Sequence, residues 1–289
     1  MIRAIRRSDA VLPLGLLLPT IAFLALLILV PIFQAVLLSF QATDGILTFD
    51  FYRRMAGDAS FADAWRNTIL VLVAVVPIQI VLALAMALLI HSRFPGHSVF
   101  LYIFAIPLGI SDLAAGILWL SVFTELGYLN VVLGALGIIE EPLQYLSFQN
   151  LHLIFAAIVV AETWRATAIV MVILLAGLQL IPRDFFEAAD VFGASRMQRT
   201  LYVVLPMLRP SLQSALVIRT IFAFQTFAVV LALAGRQFPV LAMESFRWYV
   251  DIRVPSVAAA YATLILALTI AATVVYLRIF RVREAELAR

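Results

Sequence analysis

Neither lysine nor cysteine occurs in this chain of 289 residues. Without cysteine there is no disulfide, no thiolate nucleophile and no cysteine-ligated metal. Without lysine the phosphate-cradling pattern G-x-x-x-x-G-K-[ST] cannot be formed, so P-loop nucleotide chemistry has no home here. Histidine is scarce: His91, His97 and His152 are the three in the chain. None falls in H-E-x-x-H, and G-x-S-x-G is also missing, which removes the common hydrolase signatures. Charge is short as well. Only 13% of residues are charged, where a soluble domain carries about a quarter. All 20 basic residues are arginine and the net charge is +3, so there is no basic stripe to neutralise nucleic-acid phosphates.

What the chain has is apolar length. Hydrophobic residues make up 64% of it and the mean hydropathy is +1.08. A helical crossing needs roughly 20 mostly apolar residues. Six stretches qualify, at about 11–40, 65–90, 98–124, 152–179, 208–233 and 256–280. The expected fold class is an all-α integral membrane protein with six transmembrane helices in a single domain over 1–289. Arg3, Arg6 and Arg7 precede the first run as in a signal peptide, but the run is too long for a signal core, which predicts an uncleaved first span. Pro13, Pro19 and Pro31 predict that this span is kinked or lies partly outside the bilayer.

Arginine placement orients the spans. With the N-terminus inside, 12 arginines fall on the inner side (Arg3, Arg93, Arg183 and Arg289 among them) and six on the outer, from Arg53 to Arg253. That excess predicts both termini inside. The apolar segment 126–139 is too short to cross and predicts an interfacial or re-entrant helix on the outer side. No loop is long enough for a soluble domain.

Ionisable residues within a bilayer are costly and mark function or helix pairing. Asp112, Glu162, Arg165 and Arg219 are such residues. Asp112 should lie roughly 20 Å, and Arg219 roughly 15 Å, from the inner ends of their spans, so they share a layer. Glu162 and Arg165 stand three apart on one helix face and can pair. Two readings stay open: ion pairs that hold helices together, or groups that meet a solute. Trp119, Trp164, Phe222, Phe224, Gln225 and Phe227 add flat apolar faces and an amide. Sugars need that combination, although any one of these rings is more readily a core or lipid-facing residue.

One stretch breaks the apolar pattern with order. From Pro182 to Pro210 the chain reads PRDFFEAADVFGASRMQRTLYVVLPMLRP. Asp184 with Glu187 predicts a variant capping box at the start of a short helix, and Gly193 predicts its end. Ser195 with Gln198 predicts a second capping box, opening a helix that runs to Pro206. Two short helices meeting at a glycine predict a rigid elbow.

Glu187-Ala188-Ala189, Gly193 and Val203-Val204-Leu205-Pro206 together resemble the EAA signature of permease subunits in binding-protein-dependent ABC importers. The preceding AGLQLIP, 176–182, is similar to the carbohydrate-uptake branch that includes the maltose-system F subunit. The segment AIPLGISDLAAGILW, 105–119, and the pair Gly127 and Asn130 also resemble that branch. One position departs: Phe192 stands where the family usually has aspartate, which puts the polar details of the contact there in question. The resemblance implies a type I importer permease fold, with 182–206 as a cytoplasmic coupling loop whose Glu187, Ala188, Ala189, Gly193 and Pro206 meet an ATPase. It implies a second permease subunit, two ATPase subunits that carry the ATP and Mg, and an external solute-binding protein. No cofactor is implied in this chain, and the solute would be a sugar or sugar-like molecule. Location would be the cytoplasmic (inner) membrane of a bacterium or archaeon. Candidate path residues are Trp119, Asn130, Glu162, Trp164, Arg165, Arg219 and Gln225. The alternative is a proton-coupled secondary transporter or channel with Asp112 and Glu162 as relay, but no internal repeat supports it and it leaves the elbow without a role.

Overall fold

The computed structural model describes residues 16–42 and 44–279. The beginning of the first expected span, with Pro13, lies outside these residues. Among the described residues, five helical stretches are apolar and long enough to cross a membrane, one of them 112–135 with a turn inside it, and six if one bent pair counts as a single span. Long Leu-, Ala- and Val-rich runs form helices because the backbone N–H and C=O groups must be satisfied internally in an apolar medium.

In chain order, α1 is Leu16–Phe40. It carries a π turn at Ala25–Leu29, just before Pro31, which cannot donate to the regular ladder. Then come α2 (Asp50–Ala56), α3 (Phe61–His91), α4 (His97–Ala105), α5 (Asp112–Phe123), α6 (Tyr128–Ala135) and α7 (Leu151–Gln179). The second half has α8 (Arg183–Val191), α9 (Arg196–Met207), α10 (Arg209–Phe224), α11 (Ala228–Ala234), α12 (Leu241–Val250) and α13 (Pro255–Ile279).

The described residues form two compact units, one of 16–58 with 245–264 and one of 59–244 with 265–279. In the smaller unit, Asp58 Oδ2 accepts from Arg247 at 2.6 Å and from the Trp248 indole at 3.0 Å. Arg54 lies over the same indole, 5.0 Å from its centre. Ser39 shares a hydrogen bond of 2.9 Å with the Tyr52 hydroxyl. The larger unit is built around α7, which packs along much of its length on α3. Its N-terminal half supplies Ile154, Ala157, Ile158 and Ala161 to one apolar core. The C-terminal half supplies Val170, Met171, Leu174 and Leu178 to a second.

Two expected spans are broken. The stretch 98–124 is not one helix: α4 passes into a 3₁₀ turn at Ile106–Gly109, Ile110 is extended, and Ser111 restarts the chain by capping α5 through the Ala114 amide at 3.2 Å. Pro107 lacks a donor and Gly109 weakens the helix. Hydropathy registers only that these residues are apolar and passes over the break. The stretch 208–233 likewise divides into α10 and α11 at Gln225–Phe227, and α9 meets α10 at a 72° bend beside Pro206 and Pro210. The short apolar segment 126–139 forms α6, eight residues long.

Candidate functional site

The elbow is formed largely as its sequence dictates. Gly193 has φ +70°, in the left-handed region that a β-carbon disfavours. Its amide donates to Asp190 O at 3.0 Å and the Ala194 amide donates to Ala189 O at 3.0 Å. Those two bonds are the paired closure of a Schellman motif, which satisfies the last carbonyls of α8. Ser195 and Gln198 form the expected capping box, at 3.3 Å and 2.8 Å. Arg199 then reaches back across the turn to both Asp190 oxygens, at 2.9 and 3.2 Å, and lies 5.8 Å from the Phe186 ring centre. The angle between α8 and α9 is therefore held by backbone, cap and ion pair together.

The first capping box is not formed. Pro182 is the N-cap and has no capping side chain, so Arg183 is the first helical residue and Glu187 the fifth. A capping box needs its acid at the third position; Pro182 shifts the start by two residues. Asp184 instead lies in the first turn, where an anion complements the helix N-terminus. Glu187 and Ala188 are exposed and Ala189 is buried. Val191 and Phe192 are 86% and 89% exposed at the tip. Pro206, exposed, stands in the last turn of α9, one residue before its end.

Within the spans a second constellation assembles. Arg219 on α10 and Glu162 on α7, each with a side chain 1% exposed, meet at 2.9 Å. Arg165, one turn further along α7, reaches the same Glu162 Oε2 at 3.1 Å and Asp112 Oδ1 at 2.7 Å. Gln79 on α3 joins them: its amide donates to Glu162 O at 2.7 Å and its oxygen accepts from Arg219 Nε. The four charges balance, so each costly buried ion has a partner. Gln79 escaped the reading of charges because an amide hides in an apolar run; the signal was a fully buried polar residue inside VVPIQIV. A cavity of about 250 Å³ opens beside Asp112, Arg165 and Arg219, walled by Pro107, Ile110 and Phe222.

The remaining candidates distribute differently. Trp119 and Trp164 meet edge to face, with centres 5.9 Å apart, and Trp119 stacks on Phe123 at 5.4 Å. Trp164 also lines a cavity of about 350 Å³ with Thr163, Thr167 and Pro107. Gln225 is exposed at the break after α10. Asn130 is held by backbone. Its amide is spent on backbone, donating to Glu125 O at 3.0 Å and Leu143 O at 2.9 Å and accepting from Leu143 N at 3.1 Å. Both of its amide hydrogens are thereby spent on pinning the segment around α6.

Comparison with known proteins agrees with this architecture. Residues 55–283 match the family described as "Binding-protein-dependent transport system inner membrane component". The sulfoquinovosyl glycerol transport system permease protein SmoG of Agrobacterium fabrum is 33% identical, over 96% of this chain and 92% of its own length. The trehalose/maltose transport system permease protein MalF of Thermococcus litoralis is 31% identical, over 72% of this chain and 71% of its own. Among solved structures, a chain of a bacterial alginate ABC transporter, in complex with an alginate pentasaccharide-bound periplasmic protein, superposes with a TM-score of 0.79. It is 19% identical over 96% of both chains, a likeness of fold. The chain is an all-α, multi-pass permease with the type I ABC importer fold, and it belongs to the family of inner-membrane components of binding-protein-dependent transport systems.

Proposed function

We propose that this chain is the membrane-spanning permease subunit of an ATP-driven importer for a sugar or sugar-like solute. The elbow of α8 and α9 is the observation that carries the reading. A rigid, exposed, bent element with an apolar tip is what a permease needs to take a push from another subunit without slip. Both termini and the elbow would lie on the cytoplasmic side, by the arginine excess. ATP and Mg would be held by two ATPase subunits, and this chain would work as one permease domain beside a second permease and below a solute-binding protein. The names of the relatives, which concern sulfoquinovosyl glycerol and trehalose/maltose, support the sugar class. Family membership removes the motive for a proton-coupled carrier.

The elbow hands the push to α10, to which α9 is joined by the 72° bend, and α10 carries Arg219. The charge cluster thus stands one helix away from the drive. Asp112 indicates where the path runs. Its side chain is 57% exposed at the break between α4 and α5, and an ionised group is too costly to face lipid. That face turns instead to the second permease across a watered path. Trp119, Trp164 and Gln225 extend the wall that a sugar would follow.

The test compares Glu187→Ala and Gly193→Asp in the assembled importer, reading membrane insertion, ATPase co-purification, ATP hydrolysis and uptake together. Insertion should be normal, with weakened ATPase association or hydrolysis that no longer drives uptake. Local strain at Gly193 costs about 1 kcal/mol or more, enough to reset the angle while leaving the spans folded. Full uptake in both variants would remove the coupling role.

A further inference from the structure

We propose that the cavity beside Arg165 and Arg219 binds one acidic group on the transported sugar, a carboxylate, sulfonate or phosphate, and that Asp112 fills that group's place while the path is empty. The inference rests on the importer reading and names the chemistry of its solute.

Donors outnumber acceptors at this spot. Among the described residues, Arg219 Nη1 and Arg165 Nε are buried and have no hydrogen-bond partner. Both guanidiniums already share a single Glu162 oxygen, Oε2. Arg219 also has Gln79, and Arg165 has Asp112. A guanidinium presents five donors in a fork that suits a planar or tetrahedral oxyanion. The cavity of about 250 Å³ lies against both.

Asp112 is unlike the other members. Glu162 and Arg219 are sealed at 1% exposure, whereas the Asp112 side chain is 57% exposed and has a single ion-pair contact, at 2.7 Å. It sits in the first turn of α5, directly after the extended residue Ile110 and the cap Ser111. A side chain there can leave Arg165 by rotation into the path, without disturbing the buried pair behind it. With Asp112 in place the cluster is neutral. With Asp112 swung away, Arg165 and Arg219 face Glu162 alone, and the site carries one net positive charge, which matches one monoanionic group. Swinging away without a replacement would strand Arg165 in a low-dielectric site. The exchange therefore favours an acidic solute over a neutral one, and it lets the solute act on the broken span that carries Asp112.

The opposite signs expected of two variants make this testable. Probes are D-glucuronate and D-glucose, and the readout is protection of the purified, assembled importer against thermal unfolding, titrated at neutral pH. Glucuronate should protect the wild type and glucose should not. Asp112→Asn removes the internal competitor and should tighten glucuronate binding by about tenfold, the gain expected when a site free a tenth of the time becomes always free. Arg165→Gln should abolish the glucuronate effect, and inorganic phosphate should compete with glucuronate in the wild type. A merely structural Asp112 would weaken binding or stability when changed, never tighten it. Equal protection by glucose overturns the acidic-group assignment and leaves the sugar-importer reading standing. Protection by neither probe, or no tightening in Asp112→Asn, also overturns the assignment, while uptake and ATPase co-purification test the importer reading separately.

Discussion

Arg219 shows how much a single residue in a membrane-spanning helix has to settle. Its guanidinium answers Gln79 on α3 and Glu162 on α7 from a position on α10, so three helices depend on one side chain. Arg219→Ala would leave the buried Gln79 oxygen without a donor and remove half of the counter-charge around Glu162. Breaking such a network costs about 3 kcal/mol or more. We expect Arg219→Ala to lower the yield of folded protein and its unfolding temperature in detergent; an unchanged yield and unfolding temperature would show that the helices do not rely on it. The pairing of Glu162 with Arg165 was legible from their spacing, and that of Glu162 with Arg219 from the cost of leaving either charge alone. The part played by Gln79 was not, because an uncharged amide among aliphatic residues gives no electrostatic signal. Asn130 was singled out by the resemblance that it shares with Gly127, and its backbone partner Leu143, 13 residues on, had no local signal in the sequence.

At the scale of elements, most helices were legible and their interruptions were not. Hydropathy gave the long α3 and α7 within a few residues, since a continuous apolar run has little choice in a bilayer. It joined α4 to α5 and α10 to α11, because Pro107, Gly109 and Thr226 do not lower apolarity enough to mark a break. The elbow was legible where local chemistry rules, at Gly193 and at the Ser195–Gln198 box, and illegible where proline set the start of α8. Close approach is the other element-scale determinant. Gly177 on α7 is buried, and a β-carbon there would lie 2.6 Å from Ser211 Cβ and 3.0 Å from Leu208 Cδ2 at the start of α10. Gly177→Val should therefore force these helices apart at a cost of about 1–3 kcal/mol, just where the push from the elbow enters the spans. The check is thermal unfolding together with uptake: a normal unfolding temperature and normal uptake would mean that this crossing has slack.

For the whole molecule, one exposed elbow is joined to one buried charge cluster through α9 and α10, and we expect the elbow to meet an ATPase subunit on the cytoplasmic side. The missing cysteine gives a direct test, because any cysteine placed in the chain is its sole thiol. Ala188 is exposed on α8, beside the tip formed by Val191 and Phe192, whereas Glu141 is exposed in the loop after α6, on the side that the arginine excess predicts to be external. The measurement is thiol-specific cross-linking in membrane vesicles that contain the assembled importer, with Ala188→Cys and Glu141→Cys as the two attachment points. We expect Ala188→Cys to join the permease to the ATPase subunit, through reagent applied from the cytoplasmic side, and Glu141→Cys to yield no such product. An ATPase adduct from Glu141→Cys, or none from Ala188→Cys in an importer that still transports, would contradict the account.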